Sequence, residues 1–237
     1  MNPQWWAARA KLGEPGRPSA RLERAVRRFA APVVKLAHRP ELDGVDHLPD
    51  GPFMLVANHS AIAEKALESG VSVLVFPGGD YEATRPIWQA NQVCFAGRKG
   101  FLRIARAACV PIVPMGITGS VFTAPIVWRS RRVLAWLTLT PRLFGIRHMP
   151  VTVLGLLGAL ALLFGSAHLG WPLTLLLLWL WMGSPLALLP WIPSTIRMHI
   201  GKPIAHAELF ATDDVDGAYE RVEREVQALV TGVKERG

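Results

Sequence analysis

Cysteine is nearly absent from this 237-residue chain: Cys94 and Cys109 are the two present, 15 positions apart in apolar surroundings. That spacing excludes the close thiolate pairs of a metal clip, and the count excludes a secreted disulfide scaffold. Buried thiols in a reducing compartment are expected. The N-terminus lacks a continuous apolar stretch ending in a small-residue cleavage site, so no secretory leader is expected. Acids are scarce in residues 1–39, where two face nine Lys and Arg, so this segment supplies +7 of the formal net charge of +8. Charge vanishes altogether from two stretches further on, Val151 to Ala167 and Leu173 to Leu189.

What is abundant is apolar surface. The chain is 51% hydrophobic, with a mean hydropathy of +0.26 and nine tryptophans, a composition shifted toward contact with lipid. Its length suits one substantial core with appendages. In the basic arm, residues 1–41, Leu22, Val26, Phe29, Val33 and Leu36 recur at helical spacing, with Arg21, Arg24, Arg27, Arg28 and Lys35 between them. Such a helix can lie on an anionic lipid surface, with Trp5 and Trp6 at headgroup level, or pack on its own core with its arginines in water. Membrane lipid is the expected partner. No nucleic-acid-binding module follows the arm, so none is expected to be bound.

Between 42 and 128 the pattern alternates. Phe53 to Ala57 reads as a buried strand ending at Asn58-His59-Ser60, Ala61 to Ser69 as a helix, and Val71 to Phe76 as a second strand. A helix over Lys99 to Ala108 and a strand over Pro111 to Met115 follow. Near the C-terminus, Ile196 to Ile200 reads as a strand and Asp214 to Val230 as a helix with Val215, Tyr219, Val222, Val226 and Leu229 on one face. The expected class is α/β, a mixed sheet with parallel members and flanking helices, assembled from residues 42–128 and 195–237. Functional groups then gather at strand ends.

Residues 129–194 read as a basic linker and an apolar hairpin. Each charge-free stretch approaches the roughly 20 residues that cross a bilayer, so a transmembrane or re-entrant hairpin is expected, against the alternative of two buried core helices. Arg129, Arg131, Arg132, Arg142 and Arg147 precede it and Arg197 and Lys202 follow, which sets both flanks, and the α/β domain with them, on the cytoplasmic side.

Two strand ends carry candidate chemistry. His59 can hold a near-neutral imidazole beside a substrate, although a lone histidine near a strand end is more often structural than catalytic. At Phe76-Pro77-Gly78-Gly79-Asp80-Tyr81-Glu82, two glycines allow close backbone approach to a ligand, with Asp80, Glu82 and Arg85 supplying charge nearby; an ordinary strand-terminating turn reads the same way.

In order, Leu55-Val56-Ala57-Asn58-His59-Ser60, Phe76-Pro77-Gly78-Gly79-Asp80, Gly97-Arg98-Lys99-Gly100-Phe101 and Val110-Pro111-Ile112-Val113-Pro114 resemble successive blocks of the phospholipid/glycerol acyltransferase family, most closely its diacylglycerol-acyltransferase-like branch. The likeness covers Leu42 to Gly119, with Ile196 to Pro203 in weaker support. It implies a glycerol-phosphate-acyltransferase-like fold and acyl transfer from an acyl-CoA or acyl-ACP thioester to a glycerolipid hydroxyl, with no metal, no cofactor and no covalent acyl-enzyme. His59 corresponds to the family's general base. Glu64, five residues on, stands where the family has the aspartate that orients it. Asn58, Gly78, Gly79, Asp80, Glu82, Arg85 and Lys99 fall at positions expected to bind substrate.

The chain also departs from the family. His59 and Phe76 are 17 positions apart, where the family has several dozen residues carrying part of the acceptor site, so the pattern reads as an internal deletion after the histidine block. Glu64 then has a second reading, as a carboxylate in the first turn of a helix, where helix electrostatics favour it without catalysis. Gly78-Gly79-Asp80 replaces the Glu and Thr-Arg arrangement of the glycerol-phosphate branches, which points to a neutral acceptor such as diacylglycerol. The expected function is a membrane-associated acyltransferase; the alternative is a catalytically impaired relative that binds lipid or a partner.

Overall fold

The computed structural model describes residues 36–58, 72–130, 149–212 and 214–235. The expected amphipathic arm before Leu36, the helix over Ala61 to Ser69, His59, Glu64 and the basic linker of residues 131–148 lie outside the described residues. The chain divides into two units, one of residues 1–82, 91–118 and 195–237, the other of residues 83–90 and 119–194. The segment after Gly119 pairs within the second unit.

Short apolar runs form the sheet of the first unit. Strands β1 (Glu41–Asp43), β2 (Met54–Ala57), β3 (Val73–Val75), β4 (Ile112–Thr118) and β7 (Arg197–Ile200) lie in the order β1-β7-β4-β2-β3. Strand β2 runs parallel to both β3 and β4, β1 is parallel to β7, and β7 is antiparallel to β4, so the sheet is mixed as expected. The two-residue period sorts side chains by face. Met54 and Val56 join Val73 and Val75 in the main core, while Leu55 and Ala57 pack with Val113, Met115 and Ile200 on the opposite face.

Among the described residues, helices pack over the main core. Helix α2 (Gly100–Ala107) buries Phe101, Leu102 and Ala105 and turns Arg103 and Arg106 outward. Helix α6 (Val215–Glu235) buries Ala218, Val222, Val226 and Val230, four residues apart and so on one stripe. Strand β4 runs three residues beyond the expected Pro111 to Met115 and encloses Pro114. A proline is tolerated there because its carbonyl accepts from Gly201 N at 2.8 Å, past the end of β7, where no further ladder bond needs its missing N–H.

In the second unit, β5 (Ile126–Ser130) pairs antiparallel with β6 (Met149–Thr152), which leads straight into helix α3 (Val153–Gly165). Helix α4 (Trp171–Gly183) follows a short turn. The helical hairpin is present, but its transmembrane reading is corrected. The first apolar stretch begins as strand, and Thr152 caps the helix by accepting from Gly155 N at 2.9 Å. The second stops at Gly183, before Ser184 and Pro185. Each helix keeps 13 residues. At about 1.5 Å per residue that is roughly 20 Å, against about 30 Å of bilayer hydrocarbon. Among the described residues no helix is long and apolar enough to cross a membrane. The cysteines also differ from expectation: Cys94 is half-buried, Cys109 is exposed, and both are free thiols.

Helix α6 approaches β4 across a glycine. A Cβ on Gly116 would stand 2.8 Å from Leu229 Cβ and 3.0 Å from the helix backbone, contacts that cannot yield by a rotamer change. Gly116→Ala is expected to cost about 1–3 kcal/mol in urea unfolding, the usual range for overpacking. A loss below about 0.5 kcal/mol would show that α6 shifts off the sheet freely.

Candidate active site at the carboxyl ends of the parallel strands

Strands β2 and β4 are neighbours whose following connections leave in opposite directions, β2 toward β3 and β4 toward β7. Open α/β sheets bind ligands at such a switch point, outside the carboxyl ends of the strands. Asn58 bridges it. Its Nδ2 donates to Ile117 O at 3.0 Å and its Oδ1 accepts from Ile117 N at 2.8 Å, so the side-chain amide extends the β2–β4 ladder one residue past Ala57. Asn58 is 8% exposed, and this pairing satisfies polar groups that water does not reach. The amide is thus a structural clamp immediately before His59.

The Phe76–Glu82 turn emerges from the same sheet edge. Val56 pairs with Val75, so Asn58 lies two residues beyond one member of the pair and Gly78 three beyond the other. Pro77, Gly78 and Gly79 are buried. Close approach to the two glycines does occur, but by the protein itself. A Cβ on Gly78 would lie 2.2 Å from Glu82 Cγ, and one on Gly79 would lie 2.1 Å from Arg98 Nη1. Gly79 also has φ +54°, a conformation costly for other residues. Arg98 Nη1 donates to Gly78 O at 2.9 Å and Pro77 O at 3.3 Å, holding the turn from outside. Sequence reasoning placed Arg98 inside the Gly97–Phe101 block without giving it a role, and that block was its only signal.

The remaining predicted residues are distributed as follows. Asp80 occupies the second position of the short helix α1 (Gly79–Ala83), and its side chain lies outside the described residues. Glu82 is buried, and its Oε1 accepts from Cys94 N at 2.9 Å. Arg85 falls in the second unit, where it donates to the carbonyls of Gln89 and Ala90 at 3.3 and 3.5 Å. Lys99 precedes α2 and pairs with Asp216 in the first turn of α6. Gly78, Gly79 and Glu82 therefore come together with Arg98, and Asn58 shares their sheet edge, whereas Lys99 is engaged with α6 and Arg85 belongs to another unit.

Behind this cluster, an irregular segment is held by a polar stripe on α6. Val93 N donates to Gln227 Oε1 and Phe95 N to Glu223 Oε1, each at 2.7 Å, and Gly97 N donates to the Tyr219 hydroxyl at 3.1 Å. The Tyr219 O–H in turn donates to Glu223 Oε1 at 3.1 Å. Desolvation by burial, opposed by the Gly97 amide and reinforced by the Glu223 charge, pushes the Tyr219 hydroxyl up to about 12.

Two outcomes follow from these bonds. Asn58→Ala strands the N–H and C=O of Ile117 in the interior and is expected to cost about 1–3 kcal/mol in urea unfolding. Asn58→Asp should be no better, since a carboxylate faces the Ile117 carbonyl; either variant matching wild type would remove the clamp assignment. For Tyr219, the folded chain holds its proton at pH values where the unfolded chain, near 10, has lost it. The folded state therefore binds more protons and stability falls as pH rises. The stability gap between wild type and Tyr219→Phe should be full below about pH 10 and shrink as pH climbs toward about 12. A gap constant across that range, measured by denaturant titration, would contradict it.

No family model and no curated protein matches the chain. Among solved structures it is similar to the 1-acyl-sn-glycerophosphate (LPA) acyltransferase PlsC from Thermotoga maritima, with 15% sequence identity and a TM-score of 0.44 over 95% of this chain and 87% of that chain. At this distance the likeness carries no argument about what the chain does.

Proposed function

We propose that this chain is a membrane-associated acyltransferase that moves a fatty acyl group from an acyl-CoA or acyl-ACP thioester to a glycerolipid hydroxyl. One observation carries the reading: the residue before His59 is clamped at the switch point of the sheet, and the Gly78-Gly79 turn leaves the same edge. In α/β sheets chemistry gathers outside the carboxyl ends of the strands at a switch point, and that is where the Asn58 clamp lies.

In this reading His59 takes the proton of the acceptor hydroxyl as its oxygen attacks the thioester carbonyl. The tetrahedral intermediate then collapses, breaks the C–S bond and expels a thiolate, which recovers the proton from the imidazolium. Glu64 is the carboxylate available to hold the ring in one tautomer. The turn from Gly78 to Glu82 shapes the acceptor side, fixed from behind by Arg98. A turn without a basic side chain of its own suits a neutral acceptor such as diacylglycerol. The basic arm and the apolar hairpin hold the enzyme to the membrane, and the arginines flanking the hairpin keep the α/β domain on the cytoplasmic side.

A second reading, a lipid-binding relative without turnover, is favoured by the 17-position interval between His59 and Phe76. One assay separates the two. Purified protein is added to phosphatidylcholine vesicles containing diacylglycerol, labelled acyl-CoA or acyl-ACP is supplied, and triacylglycerol is measured alongside vesicle flotation. The enzyme reading expects turnover that falls about a hundredfold or more in His59→Ala with flotation unchanged. Turnover unaffected by His59→Ala ends the proposed mechanism, and flotation without turnover for any glycerolipid acceptor supports the second reading.

A further inference from the structure

The α3–α4 hairpin is built inside out for water. Of the two helices' residues, the ones buried are Gly155 and Thr174, while Leu157, Leu160, Phe164, Trp171, Leu175 and Leu180 are each at least half exposed. A hairpin folded for water buries its leucines and shows its polar residues. Here α3 receives α4 at its glycines: a Cβ on Gly158 would stand 2.3 Å from the Trp181 ring, and Trp181 Nε1 donates to Gly155 O at 2.8 Å. Close approach at glycines, with apolar side chains turned outward, is how helices pack when their surroundings are lipid.

The polar groups follow the same rule. Hydrocarbon offers no hydrogen bonds, so each donor and acceptor entering it needs an internal partner. At the tip, Ser166 Oγ donates to Leu162 O at 2.6 Å, Thr174 Oγ1 donates to Ser166 O at 2.9 Å, and the amides of Leu169, Gly170 and Thr174 find carbonyls within the turn. At the base, Thr152 Oγ1 caps α3 and donates to Ala187 O at 2.5 Å. No Asp, Glu, Lys or Arg lies between Arg147 and Arg197. His168, in the turn, is the one side chain of the hairpin that can take up a proton.

Length and the distribution of exposed residues fix the mode. Helices of 13 residues, about 20 Å, exceed one leaflet's roughly 15 Å of hydrocarbon and fall short of two. Exposed positions extend round about half the circumference of each helix, so a hairpin lying flat would leave apolar flank in water. We propose that the hairpin enters a single leaflet tip first, with Ser166 to Trp171 deepest and the Thr152–Ala187 junction at headgroup level. This rests on the membrane association proposed above and specifies its geometry.

The test uses the full chain with Cys94→Ser and Cys109→Ser, and one cysteine introduced in turn at Leu156, Leu160 or Phe164. Each is labelled with an environment-sensitive fluorophore and mixed with phosphatidylcholine–phosphatidylglycerol vesicles. These carry nitroxide quenchers either near the headgroup or near the acyl-chain end, and flotation is measured on the same samples. Expected is a ratio of deep to shallow quenching that rises from Leu156 through Leu160 to Phe164. His168→Arg should lower the ratio at Phe164, because a charge at the tip opposes deep insertion. Equal ratios at the three sites would overturn tip-first entry while flotation kept membrane association intact. Floating protein with unquenched labels would mean that another segment binds the vesicles. Labels shielded in buffer alone, with a doubled sedimentation mass, would assign the hairpin to self-association. Absence of flotation would remove the membrane reading together with its geometry.

Discussion

The carboxyl edge of the sheet depends on one constraint: residues 91–97 run through the protein without a neighbouring strand, and their backbone amides still need partners. An extended chain points successive N–H groups to opposite sides. Val93 and Phe95 turn theirs toward α6, Cys94 turns its amide the other way, to Glu82, and Gly97 rejoins α6 from a turn in which Ala96 and Gly97 have positive φ, so that Gln227, Glu223 and Tyr219 accept from successive turns of one helix face. The Glu82 and Glu223 contacts hold the segment from both sides. Between them the Phe95 ring is fully buried, meeting Phe101 and Tyr219 edge to face at 5.8 and 6.1 Å.

That arrangement settles the shape of the turn after β3. Glu82 is fixed by the segment it supports, and the space over Gly78 is filled by its stem. Arg98 follows directly on Gly97, whose amide is tied to α6, and it reaches back to the carbonyls of Pro77 and Gly78. The Gly-Gly pair is therefore required by internal packing, whatever binds outside it. Glu82 serves first to build the edge, and the chemistry proposed there falls to His59, the residue after Asn58 in the sequence.

Sequence periodicity located the elements whose side chains are sorted by burial. The runs 53–57, 71–76 and 196–200 became β2, β3 and β7 with ends shifted by one or two residues, and the stripe of α6 was visible from Val215 to Val226. Strand β1 has no apolar run to mark it, since Glu41, Leu42 and Asp43 are all exposed; it exists through its pairing with β7, where Glu41 meets Arg197 at 2.8 Å and Asp43 meets His199 at 3.1 Å. Nothing local announces such a strand. Strand β6 hid inside an apolar run because Thr152, the residue that stops the strand and caps the helix, is too small a mark in so uniform a stretch. Asn58 was legible as a polar residue at a strand end, but its task was not, since its partner is the backbone of Ile117, 59 positions away.

The same uniformity explains why the overall composition misleads. A value of 51% hydrophobic averages two units that place their apolar residues in opposite ways. The first places valine, isoleucine and phenylalanine inside and arginine outside, as on α2, where Phe101 and Leu102 are buried and Arg103 faces water. The second puts its serine and threonine inside and its leucine outside, so its polar hydroxyls act as internal partners for helix ends. Ser166 and Thr174 each contribute one hydroxyl to an otherwise apolar stretch and alter the hydropathy of the window hardly at all. They nevertheless bear on where α3 stops and α4 begins, because a helix end leaves carbonyls without intrahelical partners and these hydroxyls supply them. Helix length in that unit follows where hydroxyls are available to close the ends, so each charge-free stretch near the length of a bilayer span yields one 13-residue helix, the two joined by a polar clasp.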